Sequence, residues 1–305
     1  GVQEKHHGAM TGRMLAGIEE IILESNPDLI MVYGDTNTTL AGALAAAKLH
    51  NPIAHVEAGV RSYNRKMPEE INRVLTDNLS TLLLCPTDTA YKNLEQENIQ
   101  KNLTPRGQVP ELQVVGDVMY DATLYFKSKS KGRAAKELEN ICTLPSNYAV
   151  CTLHRAENTD HPQILSQICH CLDECSQELP IIWPMHPRTK TQIENLNIKF
   201  QNCCIVKPLG YLAMLDLVNN SQLVITDSGG LQKEAYFLER PCMTLREETE
   251  WPETLNQSNT LTGNAPQKIQ AEFNRKKEKI QIKPGQEFGN GQAAQKILYA
   301  ISDWQ

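Results

Sequence analysis

The stretch Ile225-Thr226-Asp227-Ser228-Gly229-Gly230-Leu231-Gln232-Lys233-Glu234-Ala235 reads as a strand, a tight turn and the opening turns of a helix. Unpaired amides at the start of such a helix point into the turn, and Ser228, Gly229 and Gly230 let a ligand approach the backbone closely; the pattern makes a phosphate cradle. Glu234 sits one helical turn in, where a carboxylate can accept from both hydroxyls of a ribose. A Ser-Gly-Gly turn alone serves equally well as a short connection. The Glu at this spacing is what points to a nucleoside diphosphate.

Working outward, the second half of the chain alternates strands and helices: Tyr148 to Leu153, helix Pro162 to Leu179, strand Ile181 to Met185, helix Arg188 to Leu196, strand Cys204 to Val206, helix Leu212 to Asn219, strand Leu223 to Thr226, helix Leu231 to Leu238 and strand Cys242 to Leu245. The first half repeats the habit. Strands Leu29 to Tyr33, Pro52 to Val56 and Thr81 to Cys85 alternate with helices Thr39 to Leu49, Glu69 to Leu79 and Thr87 to Asn98. Such alternation predicts parallel sheets with right-handed crossovers. Between Phe126 and Ser146 the composition turns basic and small, through Lys127 to Arg133, and places a domain boundary there. The expected fold class is therefore α/β, with two doubly wound Rossmann-like domains facing a central cleft at the carboxyl ends of their strands.

The length of 305 residues agrees with two domains, at roughly 150 residues each. Thirty Lys and Arg against thirty-six Asp and Glu give a net charge of -6, which opposes binding along a phosphate backbone and sets nucleic acid aside as a partner. No apolar run approaches the roughly 18 residues of a membrane span, so no membrane partner is expected either. Nine cysteines, an odd number without any Cys-x-x-Cys, read as reduced thiols of a cytoplasmic protein. Cys169, Cys171 and Cys175 flank His170, but only Cys171 and Cys175 share a helix face, so buried small hydrophobes are expected in place of a metal site.

Polar groups collect at the predicted strand ends. Asp35 follows Tyr33, and Glu57 follows Ile53 to Val56 directly; a carboxylate in that position is either paired or functional. Glu69 and Glu70 follow Pro68 at a helix start, where the helix dipole alone favours acids. In the second half His154-Arg155 and His186-Pro187-Arg188 each close a strand with an imidazole beside a cation, a combination suited to an anionic ligand or to acid–base work.

Gly34-Asp35-Thr36, His55-Val56-Glu57-Ala58-Gly59, Pro68-Glu69-Glu70-Ile71-Asn72-Arg73, His154-Arg155-Ala156-Glu157-Asn158, Asp227-Ser228-Gly229-Gly230 and Thr249-Glu250-Trp251-Pro252-Glu253 follow one another across nearly the whole chain. With them the sequence resembles the non-hydrolysing UDP-N-acetylglucosamine 2-epimerases, which are similar to two-domain glycosyltransferases of the B type. The resemblance implies a sugar and catalytic domain over residues 1–130, a UDP-binding domain over 145–290, and a last helix within 291–305 that crosses back onto the first. It implies that Asp35, Glu57, Glu69 and His154 are catalytic. Arg61, Arg155, Asn158, His186, Tyr211, Ser228, Gly229, Gly230, Glu234, Arg246 and Glu250 would bind substrate, and a homodimer is expected.

Departures from the family pattern carry expectations of their own. The family's first strand, with its Gly-x-Arg-Pro and a following Lys, has no counterpart ahead of the helix Met10 to Ser25, so the chain is expected to begin inside its first domain. Lys5-His6-His7-Gly8 stands where some bacterial members carry a Gly-Gln segment tied to an activating second substrate, and such activation is not expected here. The stretch Arg61 to Met67 and Trp251 are similar to relatives acting on a UDP-diacetamido-glucuronate, which stands as the alternative substrate.

The chemistry implied by the resemblance is inversion at C2 of an N-acetylhexosamine. A base takes the C2 proton, UDP departs to leave a glycal, and UDP returns as an acid protonates the opposite face. Carboxylates with separated pKa values can supply base and acid, and no metal or redox cofactor is required. The same residues admit two rival readings. One is a UDP-sugar glycosyltransferase, which would use Ser228 to Glu234 equally well but has no need of Asp35, Glu57 and Glu69 together; the other is a non-catalytic sugar-nucleotide-binding module.

Overall fold

The computed structural model describes the chain except Gly1, Gln3, Lys5, Asn140, Gln257, Lys279, Ile280, Gln281, Pro284 and Gln305. Lys5, part of the departure near the start, thus lies outside the described residues. The chain divides into one unit of Gly1–Asp121 with Gln286–Gln305 and a second of Ala122–Gly285.

The first unit runs α1 (His7–Ser25), β1 (Ile30–Tyr33), α2 (Asn37–Lys48), β2 (Ile53–Val56), α3 (Pro68–Leu79), β3 (Leu82–Cys85), α4 (Asp88–Gln96) and β4 (Glu111–Val114). Its strands lie in the order β1-β2-β3-β4, all parallel, with Val32 opposite His55 and His55 opposite Leu83. A run of small residues lets α2 lie close against the sheet: Ala41, Ala43, Ala45 and Ala46 are fully buried. Thr36 and Thr39 close a capping box at its start, satisfying amides that would otherwise be orphaned. Helix α13 (Ala293–Asp303) belongs to this unit, where Ile297 and Ala300 pack with Ala54, Val56, Leu82 and Leu84.

Between the units' strands run α5 (Val118–Ser130) and α6 (Arg133–Leu138). The basic stretch at the expected boundary closes α5, turns at Lys131 and Gly132 and opens α6, and the change of unit falls earlier, after Asp121 inside α5. Lys127 and Lys129 lie in the last turn of α5, where cations complement the helix dipole. Phe126, Ala134 and Leu138 pack into a core of the second unit with Val150, Leu215 and Val224.

That unit continues β5 (Ala149–Thr152), α7 (Ala156–Thr159), α8 (Pro162–Cys175), β6 (Ile181–Pro184), α9 (Pro187–Asn195), β7 (Cys204–Val206), α10 (Tyr211–Asn219), β8 (Leu223–Thr226), α11 (Gly229–Phe237), β9 (Cys242–Thr244), β10 (Asn259–Leu261) and α12 (Pro266–Lys276). Its six parallel strands lie in the order β10-β9-β8-β5-β6-β7. The chain leaves β5 in one direction for β6 and β7, then returns to its other side for β8, β9 and β10. The order therefore reverses between β5 and β8, and the carboxyl ends of those two strands are where an open parallel sheet receives a ligand. Helices cover both faces, so strand residues such as Val150, Cys151, Val224 and Ile225 are wholly buried. All nine cysteines are free thiols. Cys169, Cys171 and Cys175 are buried on α8, and burial pushes the Cys169 thiol up to about 12.

Candidate active site

In the first unit three sequence segments supply carboxylates. Asp35 leaves β1 after Gly34, whose φ of 62° makes the turn. Its side chain keeps 28% of its exposure and meets Arg73 Nη2 at 2.5 Å, while Asn72 Nδ2 donates to its carbonyl at 2.8 Å. Glu57 leaves β2 in the left-handed region, at φ 76°, a conformation that a residue with a Cβ adopts at a cost. The twist lays its carboxylate over the β1 turn: a Cβ placed on Gly34 would stand 3.6 Å from Glu57 Oε1. Glu69 is half-buried in the first turn of α3 with no hydrogen bond or ion pair among the described residues.

Its neighbour Glu70 behaves differently. It is buried, accepts from the Ser62 amide at 2.9 Å, the Ser62 hydroxyl at 3.0 Å and the Tyr63 amide at 3.0 Å, and pairs with Arg73 Nη1 at 2.9 Å. Glu70 anchors the loop before α3, whereas Glu69 makes no such contact among the described residues. Arg61, expected at the substrate, is instead committed internally. Its Nη1 donates to Asp77 Oδ2 and the Val60 carbonyl, and its Nε and Nη2 donate to the two oxygens of Glu97, each of the carboxylate contacts at 2.7 Å. With 4% exposure, four of its five N–H donors are taken by these partners.

In the second unit the residues gather at the switch point. Asp227, fully buried just after β8, accepts from the amides of His154 at 3.0 Å and Arg155 at 2.9 Å, from Asn158 Nδ2 at 3.1 Å, and lies 3.2 Å from His154 Nδ1. Burial by itself would raise its carboxyl; the hydrogen bonds and charge of His154, with those from Arg155 and Asn158, outweigh burial and hold it below the usual range. Sequence reasoning passed over Asp227 as a site residue, although it is the acceptor that shapes the loop after β5. With Nδ1 turned to Asp227, the half-exposed His154 leaves Nε2 for a ligand. His186, the N-cap of α9, brings its ring within 6.2 Å of the His154 ring.

Asn158, expected at the substrate, is buried beneath the loop after β5. Its amide nitrogen serves Asp227 and the Leu245 carbonyl, and with 1% exposure it ties the loop after β5 to β9 from below. Ser228 caps α11 by accepting from the Leu231 amide. Gly229 follows with Glu250 pressed against it: an added Cβ would fall 2.4 Å from Glu250 Oε1 and 3.3 Å from Trp251 Nε1. Glu250 in turn pairs with Arg246 Nη2 at 2.8 Å and stands 3.6 Å from Arg155 Nη2. Arg246 keeps one buried nitrogen, Nη1, without a hydrogen-bond partner. Glu234, 8% exposed, is pushed up to about 7 by burial, against the opposing hydrogen bond from Tyr211 and the charge of Lys233. Lys233 itself stacks over the Trp251 ring at 3.8 Å. Gly230 is the second residue of α11. Among the described residues no group of three His, Cys, Asp or Glu could hold a metal ion, and no helix is long and apolar enough to cross a membrane.

A parallel sheet with the 3-2-1-4-5-6 order, a Ser-Gly-Gly cradle at its switch point and a companion parallel-sheet unit define a nucleotide-sugar enzyme of glycosyltransferase-B type, and solved structures agree. The crystal structure of the Methanocaldococcus jannaschii UDP-GlcNAc 2-epimerase in complex with UDP-GlcNAc and UDP matches with a TM-score of 0.88 at 39% identity, over 98% of this chain and 82% of that one. The Neisseria meningitidis UDP-GlcNAc 2-epimerase bound to UDP-GlcNAc matches with 0.85 at 27% identity, over 99% and 84%. In sequence, the Pseudomonas aeruginosa UDP-2,3-diacetamido-2,3-dideoxy-D-glucuronate 2-epimerase is 45% identical over 95% of this chain and 79% of its own length. The family model for UDP-N-acetylglucosamine 2-epimerase matches residues 1–302, and the chain belongs to that family.

Proposed function

We propose that the chain interconverts UDP-N-acetylglucosamine and UDP-N-acetylmannosamine by eliminating UDP and adding it back with C2 inverted. The observation that carries this reading is the gathering of Asp35 and Glu57 at adjacent strand ends of the first unit, with Glu69 at the start of α3. Acid–base chemistry at carbon needs such carboxylates, whereas transfer of a sugar to an acceptor does not require all three. One carboxylate takes the C2 proton while another, protonated, returns one to the opposite face. The second unit takes the nucleotide: the first amides of α11 and Nε2 of His154 meet the departing diphosphate, Arg246 Nη1 supplies a further donor, and Glu234 accepts from the ribose.

The test is the reaction in heavy water with UDP-N-acetylglucosamine and no acceptor. Product carrying deuterium at C2 is expected. Product that keeps the original hydrogen, or UDP released only when an acceptor is added, overturns the reading. The 45% identity with the Pseudomonas relative favours UDP-2,3-diacetamido-2,3-dideoxy-D-glucuronate as a second substrate, to be offered in the same assay. The same reading includes a homodimer working in the cytoplasm, and sedimentation of the purified protein tests the dimer.

A further inference from the structure

His55 is the third residue of β2, a strand buried along its whole length. Among the described residues its ring has two polar partners, and both are acceptors. Nδ1 lies 2.6 Å from Asp77 Oδ1, and Nε2 lies 2.8 Å from the carbonyl of Gly34. A carbonyl can only accept, so Nε2 carries a proton. Asp77 is fully buried beside the equally buried Arg61 guanidinium, which donates to its other oxygen at 2.7 Å, and the Gly59 amide adds a bond at 3.2 Å. A buried guanidinium keeps its charge and requires a counter-charge, so Asp77 is ionised and Nδ1 carries a proton as well. The ring is an imidazolium sealed inside the sheet.

The charges around it are few. Asp77 faces it from α3, Glu57 acts on it from the end of its own strand, and Arg61 lies behind Asp77 with Glu97 behind Arg61. Burial opposes the charged ring, but Asp77, the Gly34 carbonyl and Glu57 together raise its pKa above the ordinary 6.5.

What this cation touches is the acid–base apparatus. Gly34 is the residue before Asp35, and its carbonyl is gripped from below by Nε2. Glu57 is two residues beyond His55, turned back over that same Gly34. Asp77 sits on the helix that carries Glu69, and it also pins Gly59, in the loop that follows Glu57. We propose that His55 is a positioning residue that acts as a lasting imidazolium, fixing the Gly34–Asp35 turn and Glu57 in one mutual geometry and placing a positive charge beneath them. The proposal rests on Asp35 and Glu57 being the acid–base groups.

Two measurements test it. Imidazole nitrogen NMR of the unmodified enzyme reads the ring directly, and both nitrogens are expected to stay protonated at about pH 8, where an ordinary histidine is neutral; a neutral ring there overturns the proposal without any variant having to fold. His55→Gln keeps a donor toward Gly34 but removes the charge. It is expected to lower kcat by at least about tenfold and shift the pH–rate profile, with KM and uridine affinity within about twofold. Unchanged kcat, or an equal loss of uridine affinity, overturns the positioning role. If Asp35→Asn and Glu57→Gln leave turnover and C2 deuterium incorporation intact, it is the acid–base reading that fails, and the NMR result still reports on the ring.

Discussion

Arg73 Nη2 stands 2.5 Å from Asp35 Oδ2 while Nη1 of the same guanidinium meets Glu70 Oε2 at 2.9 Å. One buried cation thus joins a carboxylate that can do chemistry to one that holds a loop, so the position of Asp35 is referred to the segment that leads into Glu69. Asp35→Asn keeps the shape of this contact and removes a proton acceptor; turnover is expected to fall by at least about a hundredfold with uridine affinity unchanged. Arg73→Met leaves Glu70 without its cation in a site with 1% exposure, and a loss of about 3 kcal/mol in stability is expected from chemical unfolding.

Glu57 supplies a prediction in which the usual order of two residues reverses. Inside regular structure glycine is less stable than alanine by about 0.5–1 kcal/mol. At Glu57, where φ is 76°, a Cβ is strained by about 1–2 kcal/mol and a glycine is not. Glu57→Gly should therefore unfold at a higher temperature than Glu57→Ala, with both inactive. The opposite order in calorimetry would mean that the left-handed turn is not maintained in solution.

Gly229 is required by what lies against it. A methyl group there would meet Glu250, and Glu250 cannot swing away without leaving Arg246 and Arg155. Gly229→Ala is expected to cost about 1–3 kcal/mol and to weaken UDP binding. Gly12, exposed in the middle of α1 with nothing within 4 Å of an added Cβ, is the contrasting site; Gly12→Ala should stabilise by about 0.5–1 kcal/mol. Equal effects at the two positions would remove Gly229 from the list of shape-determining residues.

These contacts show what the sequence could and could not disclose. The β8–α11 passage was readable because its signals are local: branched strand residues, two glycines and a helix that follows at once. The ends of β1 and β2 were readable for the same reason. β4 escaped because Glu111-Leu112-Gln113-Val114 is only partly covered and carries no apolar run, and α12 because its buried apolar residues are few, Ile269 and Phe273. Residue type and chain order place Asp35, Glu57, His154 and Asp227 after strands, but do not tell which way a donor faces. Arg61 turns to Asp77 and Glu97, 16 and 36 residues away, and Arg73 reaches Asp35 across 38. Such partners are a product of the folded sheet, so residue type alone does not disclose that Arg61 faces Asp77 and Glu97 or that Arg73 faces Asp35.

The last prediction concerns Glu234, whose carboxyl is pushed up to about 7 by burial. A ribose offers two hydroxyl donors, and the ionised carboxylate, with one oxygen for each, accepts from them more strongly than the protonated carboxyl does. Binding therefore favours loss of the proton, and the work of removing it grows as pH falls below the folded value. Affinity for uridine, which carries the ribose but no titrating phosphate, is expected to be level well above pH 7 and to weaken by about tenfold between pH 8 and pH 6. The unliganded protein should respond in the reverse sense. A carboxyl with a raised folded pKa holds more protons folded than unfolded between its ordinary 4.5 and about 7, so the contribution of Glu234 to stability declines as pH climbs through that interval. Glu234→Gln should flatten both dependences, weaken uridine binding at pH 8, and leave C2 deuterium incorporation intact at saturating substrate. Uridine affinity that is the same at both pH values in the unmodified protein, or that keeps its slope in the Gln variant, would show that some other group carries the proton and that Glu234 does not hold the ribose.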